Sequence, residues 1–261
     1  MLISFGARNY LSFKEGFEIS MQLPASIVKE SEVSEAICII GANASGKTNV
    51  IRALAFIARF CSDSFSLKPE DPLSIATYGF CNEPSSFFLE FSIGEIRYNY
   101  TAELTNSGVV SESLARKASK WVPLFSREGN ELVQCIKEFD ALKKIKLRKN
   151  ASIISIAHQY EMSVLEGIYL FFSNIESNID PLDGETLYNG LATSLVAISK
   201  WYEYSPTGLQ FTKEKLCEAD TGIKDIRLES IKKPNEEEVY FPVFIHDTKD
   251  GQVEIPYYLE S

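Results

Sequence analysis

The chain has 261 residues, of which 45% are hydrophobic and 24% are charged, and its net charge is −10. This length allows one large or two small domains with a substantial core, and the composition is that of an ordinary globular protein. The negative charge argues against nucleic-acid binding through overall electrostatics, so any such contact would need a local basic patch.

The cysteines, the histidines and the hydropathy of the sequence predict where the protein is located and whether it holds a zinc ion. Five scattered cysteines without a C-x-x-C pair predict free thiols in a reducing cytosol, and two separated histidines are too few for a zinc site. The longest apolar stretch, at about residues 164–172, is too short to cross a bilayer, and no secretory signal is recognisable. We therefore expect a cytoplasmic protein without a membrane partner.

The first predicted elements form an antiparallel pair near the N-terminus. Residues 2–5 are predicted to start an edge strand, and residues 9–13 follow it before a turn. Phe17, Ile19 and Met21 then alternate with polar residues, which predicts a second strand that returns antiparallel to the first.

Residues 41–48 read Gly-Ala-Asn-Ala-Ser-Gly-Lys-Thr and match the phosphate-binding pattern G-x-x-x-x-G-K-[ST]. The preceding apolar residues 37–40 predict a buried strand. Apolar residues then recur at the spacing of one helix face, at Val50, Leu54, Ile57, Ala58 and Cys61. Strand, glycine-rich turn and helix is the context that this loop requires, and a glycine loop of another α/β domain is the alternative.

The chemistry of such a loop is electrostatic. Backbone N–H groups at the turn and at the helix N-terminus point at phosphate oxygens. Lys47 adds a charge at the β- and γ-phosphates, and Thr48 offers a hydroxyl to Mg²⁺. The predicted nucleotide-binding residues are Gly41, Ala42, Asn43, Ala44, Ser45, Gly46, Lys47, Thr48 and Asn49.

The next part of the chain is predicted to be an antiparallel β-rich meander rather than a series of βαβ units. Alternating residues and turn residues predict strands near residues 87–93, 96–100, 109–110, 121–125 and 132–136. One basic cluster follows, which is either a solvated face or a contact for nucleic acid or a partner: Lys143, Lys144, Lys146, Arg148 and Lys149.

Helices and then strands are predicted for the last third of the chain. The expected elements are helices at about 163–176 and 185–204, a short helix capped by Thr212, a strand at 226–230, and a hairpin that pairs 239–246 with 253–259.

Several of these segments resemble a known family. Asn-aromatic-x-Ser-Phe at residues 9–13 and G-x-N-x-S-G-K-T-N at residues 41–49 resemble ABC-type ATPase heads of the SMC and RecF class. The likeness extends to AAA-type ATPases of phage-defence systems, the abortive-infection and OLD-like group. Residues 153–159 resemble the start of that family's Q-loop, and residues 216–223 resemble a segment before its last antiparallel hairpin.

The resemblance implies an α/β fold, a P-loop NTPase of the ABC-ATPase-head type. The chain would be its N-terminal lobe, with an antiparallel β subdomain and a helical segment, and would be incomplete at the C-terminus. The expected parts are 1–62 with the hairpin and Walker A unit, 63–150 as the β-rich arm, 151–220 with the Q-loop and helices, and 221–261 as the hairpin leading to the signature motif.

The resemblance also implies ATP and Mg²⁺ as cofactors. Asn49 would support the loop, while Thr48 and Gln159 would bind Mg²⁺ and Gln159 would approach the attacking water. The alternative is that Gln159 is only a polar residue at a strand end. The turn at residues 9–12 would lie near the nucleotide, although Leu11 stands where the family has arginine.

The family's Walker B strand with its acidic pair has no counterpart in the required order after Ile223, and residues 255–261 resemble the approach to the signature. The chain is therefore expected to bind ATP weakly and to hydrolyse it negligibly alone. A second copy or a C-terminal ATPase half would complete a head-to-head dimer.

At the level of function, the resemblance implies the ATP-binding part of a sensor or regulator in an anti-phage defence system, acting with an effector nuclease. Two alternatives remain open. One is a degenerate or split P-loop fragment that serves as a protein-interaction module. The other is a DNA-repair ATPase of the RecF and SMC kind, which only the basic cluster favours.

Overall fold

The computed structural model describes residues 1–24, 33–42, 45–177, 179, 189–218, 223–232, 238–248 and 251–256. The chain divides into two compact units, Met1–Glu185 and Thr186–Ser261. The phosphate-binding motif and the β-rich zone both belong to the first unit.

A seven-stranded antiparallel sheet is the framework of the first unit. Its strands are β1 (Leu2–Arg8), β2 (Phe17–Ser20), β3 (Ser85–Ile93), β4 (Ile96–Thr105), β5 (Gly108–Lys117), β6 (Trp121–Glu128) and β7 (Glu131–Cys135), in the order β2-β1-β3-β4-β5-β6-β7. The predicted antiparallel meander is confirmed, and so is the antiparallel return of β2 along β1.

The prediction that residues 2–5 start an edge strand is wrong. β1 lies between β2 and β3, with Phe5 opposite Ile19 on one side and Leu89 on the other. Its five consecutive buried residues, Ile3–Ala7, are the pattern of a strand covered on both faces and both edges. The edge position belongs to β2, whose residues are only half-buried or exposed.

Three helices pack on one face of this sheet. They are α1 (Lys47–Asp63), α2 (Ile153–Gln159) and α3 (Ser163–Ser173), and the described residues also form short 3-10 helices at Ser64–Ser66, Tyr78–Phe80 and Lys137–Lys144. Alternate residues of β3 face the helices and are fully buried. The ring of Phe87 lies 5.2 Å from Phe56 of α1, and that of Phe91 stacks 4.1 Å from Phe171 of α3. The core of this unit therefore lies between the sheet and its helices.

Residues 153–159 form a helix rather than a strand. Ser152 caps α2, because its Oγ accepts a hydrogen bond of 3.0 Å from the backbone N–H of Ser155. All five residues from Ile153 to Ala157 are buried. A short run that is apolar on every side suits a buried strand and a buried helix equally, so the sequence pattern alone does not choose between them.

The buried strand expected at residues 37–40 is also wrong. These residues are described, and they adopt no regular secondary structure. Ile37 is 48% exposed and Ile40 is 87% exposed. A buried strand needs neighbours to pair with, and the interior strands of the sheet in this unit are already paired with one another.

The second unit contains its own sheet and helices. The helices are α4 (Asn189–Tyr204) and α5 (Pro206–Glu218), and the strands β8 (Ile223–Ile231), β9 (Val239–Thr248) and β10 (Gly251–Pro256) pair antiparallel in the order β10-β9-β8. The predicted last hairpin is thus confirmed. Its tip at 249–250 and residues 257–261 lie outside the described residues, as does the predicted helix start at 185–188.

Thr212 is not the cap of the short helix as predicted. It lies in the interior of α5, and its Oγ1 donates a hydrogen bond of 3.0 Å to the carbonyl of Gly208. The helix begins earlier, at Pro206, since proline needs no hydrogen-bond partner for its nitrogen in the first helical turn.

Among the described residues, no helix has both the length and the apolar character needed to cross a membrane.

Candidate functional site

The glycine-rich loop ends at Gly46, which caps the N-terminus of α1. Gly46 has φ 94° and ψ 6°, in the left-handed region that favours glycine. A Cβ at this position would lie 2.9 Å from the ring of Phe13 and 2.9 Å from Oγ of Ser12. The turn therefore requires glycine both for its backbone conformation and for the close approach of its neighbours. The predicted turn into a helix is confirmed here, whereas Asn43 and Ala44 lie outside the described residues.

The start of α1 is suited to an anion. Because glycine has no side chain, the cap itself cannot accept hydrogen bonds from the first N–H groups of the helix. The first turn reads Lys-Thr-Asn-Val, so the positive end of the helix dipole faces no acidic residue of its own turn. A hollow of about 300 Å³ opens here and is lined by Ser45, Gly46, Lys47, Thr48 and Asn49. Amide groups, hydroxyls and an ammonium group thus meet in one cavity.

Lys47 lies across the loop. Its Nζ donates hydrogen bonds of 2.8 Å to the carbonyl oxygens of Gly41 and Ala42. These are neutral acceptors, so a phosphate oxygen would be a stronger partner for the ammonium group. The Thr48 side chain is exposed at the hollow and leaves its hydroxyl accessible to a ligand.

The turn between β1 and β2 lies directly against this loop, where the resemblance implied. Nδ2 of Asn49 donates a hydrogen bond of 3.0 Å to Oγ of Ser12, and Nη1 of Arg52 donates one of 3.1 Å to Oδ1 of Asn49. Leu11 is held from the other side, because its N–H donates to the carbonyl of Ala76 at 2.8 Å. The hydrogen bond from Arg52 to Asn49 was not predicted, because the sequence pattern of the phosphate-binding loop ends before Arg52.

Aromatic packing anchors the same turn to the core. The ring of the buried Tyr10 lies 5.7 Å from Phe56 of α1 and 5.1 Å from Phe87 of β3. Phe13, which limits the space at Gly46, packs 4.5 Å from Phe17 of β2. The loop is therefore held between a helix and a sheet through side chains that have fixed partners.

The structure does not bring Gln159 to the loop. α2 packs on the last turn of α1, where Oγ of Ser155 donates to the carbonyl of Ser62 at 3.0 Å and accepts from the N–H of Phe65 at 3.0 Å. Gln159 is an exposed residue at the end of α2, and the ring of the next residue, Tyr160, lies 6.2 Å from Phe65. Since α1 has 17 residues, its two ends are about 24 Å apart. The predicted approach of Gln159 to Mg²⁺ at Thr48 does not match this placement.

The basic cluster at residues 143–149 is partly used within the protein. Nζ of Lys143 lies 2.6 Å from Oδ1 of Asp140. The guanidinium group of Arg148 donates to the carbonyl oxygens of Phe65, at 2.8 Å, and of Leu67, and it lies 4.9 Å over the ring of Phe65. Exposed side chains remain at Lys144, Lys146 and Lys149.

A buried polar network joins the sheet to the C-terminal end of α1 and to α2. Nε of Arg127 lies 2.9 Å from Oε2 of Glu112, and both side chains are fully buried. The Glu112 carboxylate also accepts hydrogen bonds from the hydroxyl of Tyr100 at 3.0 Å and from the N–H of Ile153 at 3.1 Å. Burial raises the pKa of Glu112, although Arg127 opposes this shift. Burial also raises the pKa of Cys61, which leaves this thiol a core residue of α1 rather than a reactive group.

A left-handed glycine that opens a helix, followed by lysine and threonine beside a hollow, is the arrangement of a P-loop nucleoside-triphosphate-binding domain. A family model described as "AAA domain, putative AbiEii toxin, Type IV TA system" matches residues 36–261. The chain belongs to this family of AAA-type ATPase domains, whose members generally use ATP and Mg²⁺. No curated protein matches the chain significantly.

Proposed function

We propose that the chain binds ATP with Mg²⁺ at residues 41–49 and forms the nucleotide-binding part of an ABC-type ATPase head. The observation that carries this proposal is the left-handed Gly46 at the start of α1, with Lys47 and Thr48 at the hollow beside it. The hydrogen bond between Asn49 and Ser12 supports the same proposal, because it holds the turn between β1 and β2 against the loop.

Each residue then has a physical role in the proposed site. The first-turn N–H groups of α1 bind phosphate oxygens, and Lys47 exchanges its carbonyl partners for the β- and γ-phosphates. The Thr48 hydroxyl would help to hold Mg²⁺. The bound metal screens the charge of the phosphates, which is the chemistry that it contributes to phosphoryl transfer.

Hydrolysis requires a group that orients water, and none of the residues that line the hollow, 45–49, carries a carboxylate. We propose that a second copy or another ATPase half supplies it in a head-to-head dimer. The exposed apolar side chains of Ile37 and Ile40, next to the loop, support this proposal because a partner would remove them from water. The chain alone is expected to release almost no phosphate in a malachite-green assay, and robust turnover would contradict this.

We propose further that nucleotide-driven dimerisation of this ATPase regulates an effector, a nuclease, in an anti-phage defence system. The support is the family to which the chain belongs, which is described in terms of a type IV toxin–antitoxin system.

Isothermal titration calorimetry of the full chain with ATP and Mg²⁺ tests the site. We expect weak but measurable binding, and a loss of about 10- to 100-fold in affinity for Lys47→Ala, since a hydrogen bond to a charged group is removed. Lys144→Ala, which removes an exposed lysine of another region, is the matched control and should bind normally. Equal affinities for the two variants, or no binding by the unaltered chain, would overturn the proposal.

A plaque assay tests the role. Cells that carry the gene in its native operon should resist phage, and the Lys47→Ala variant should lose this resistance at unchanged protein levels. Full resistance by the variant would favour the protein-interaction module instead, because nucleotide binding would then be unnecessary for function.

A further inference from the structure

The hairpin that joins β5 to β6 ends in a cationic and aromatic tip, which we call the hairpin tip and define as residues 116–122. Arg116, Lys117 and Lys120 are all exposed there, and Trp121 is 38% exposed. Three cations in seven residues stand out in a chain whose net charge is −10. The hairpin tip is therefore a local positively charged patch on a protein whose net charge is negative.

Strand pairing places these groups at the end of one hairpin, on its two faces. Lys117 pairs with Trp121 across the hairpin, and its Nζ lies 5.0 Å from the centroid of the indole ring. Arg97 of β4 lies next to Lys117 on this same face of the sheet, whereas Arg116, which pairs with Tyr98 and Val122, lies on the opposite face. Arg97 is neutralised by Glu90 at 2.5 Å. Arg116 and Lys120 have no acidic partner among the residues that the structure describes.

The tip is held in a fixed shape but is uncovered. β4 and β5 pair along most of their lengths, and the N–H of Ala118 closes the turn by donating to the carbonyl of Lys120 at 2.9 Å. β7 pairs with β6 only as far as Phe125, opposite Cys135, so the outer edge of β6 at residues 121–123 extends beyond its neighbour. A ligand can thus reach the cations, the indole and the edge of the strand together.

We propose that the hairpin tip binds single-stranded nucleic acid. Lys117 and Lys120 contact phosphates beside Trp121, which provides a surface on which a base stacks, and Arg116 contacts a phosphate where the nucleic-acid strand passes round the hairpin end to the other face. The combination of spaced cations with one exposed indole is what distinguishes this ligand from others. Val122, which is also 38% exposed, is the one other exposed large apolar side chain of the tip, whereas a membrane-binding surface would present several to the bilayer.

This proposal does not rest on the nucleotide site, and it differs from the contact expected at residues 143–149. In that cluster, Lys143 and Arg148 already have partners within the protein. Its three exposed lysines, Lys144, Lys146 and Lys149, offer the same charge as the tip without an aromatic residue among them. They are therefore a matched control.

Fluorescence anisotropy with labelled dT20 tests the proposal, using the full chain at 50–300 mM NaCl. We expect binding that weakens with salt. The triple variant R116Q/K117Q/K120Q should bind about tenfold or more weakly, and the slope of log K against log salt should fall by about 2, since three phosphate contacts are lost. Trp121→Ala should lose about 5- to 100-fold, whereas Trp121→Phe should keep most of the affinity.

The control variant K144Q/K146Q/K149Q should bind dT20 normally, and thermal unfolding should show that all variants are folded. The proposal is overturned if the unaltered chain does not bind dT20 at 50 mM salt, or if the control loses as much affinity as the tip variant. It is also overturned if inorganic polyphosphate competes as well as dT20 at equal charge, or if vesicles with anionic lipid bind the tip more tightly than dT20 does.

Discussion

Replacing Arg127 with methionine tests how strongly the buried polar network holds the sheet to its helices. Arg127 is fully buried on β6 and faces Glu112 at 2.9 Å. Its guanidinium group also donates hydrogen bonds of 3.2 Å and 2.6 Å to the carbonyl oxygens of Arg148 and Ala151, which lead into α2. Methionine has a similar length but neither the charge nor the donors.

The expected cost follows from what the substitution leaves behind. Glu112 would remain fully buried without its counter-charge, and two carbonyls would lose their donors. Removal of one partner of a buried ion pair typically costs about 3–5 kcal/mol in the free energy of unfolding. Since domains are stable by only about 5–15 kcal/mol, this loss is large. At about 2–4 °C per kcal/mol for a domain of this size, Tm should fall by about 6–20 °C.

The chain offers a clean assay because it has two tryptophans, one in each unit. In a Trp201→Phe background, the fluorescence of Trp121 reports unfolding of the first unit alone, and urea titration gives its free energy of unfolding. Arg116→Met, the same chemical change at an exposed site on β5, should cost less than about 0.5 kcal/mol. The double variant E112Q/R127M should be more stable than R127M alone, since no unpaired charge stays buried. If R127M and R116M lose equal stability, the network does not hold the unit together.

Two further perturbations address the loop and the network. Gly46→Ala should reduce ATP affinity about tenfold or more in calorimetry, because φ is +94° and the new Cβ would approach Phe13 and Ser12 to 2.9 Å. Gly129→Ala, with φ +54° but open space around it, should leave affinity unchanged, and a similar loss in both would contradict the steric argument. The second perturbation is pH. Burial raises the pKa of Glu112 above its ordinary value of 4.5, so the folded state holds this proton more tightly than the unfolded state does. The contribution of Glu112 to the free energy of unfolding is fully present below pH 4.5, and it is lost as the pH rises through the pKa of Glu112 in the folded state. The stability of the unaltered chain relative to Glu112→Gln should therefore fall across that window in urea titrations, and a flat or rising difference would refute the assignment.

The sequence by itself determined the elements whose signals are local. The glycine turn at Gly46 and the helix after it follow from one motif and one apolar face, and both lie within a few residues of each other along the chain. The meander of β3 to β7 was readable for the same reason, since turn residues and period-two alternation specify each hairpin without reference to distant parts.

Tertiary structure alone decided whatever depends on partners far away in the chain. Residues 37–40 are apolar enough for a buried strand, but no strand lies beside them in the part of the chain that the structure describes, while Ile153–Ala157 is buried as a helix. Gln159 lies near the last turn of α1 because Ser155 of the same helix donates a hydrogen bond to Ser62, and no local sequence pattern predicts that contact. Glu112 and Arg127 look like surface residues in the sequence, yet both are in the core. A charged side chain can be buried only where its counter-charge and hydrogen-bond partners meet it. Arg127 is the cross-strand neighbour of Glu112, but the N–H of Ile153 reaches Glu112 from 41 residues further along the chain.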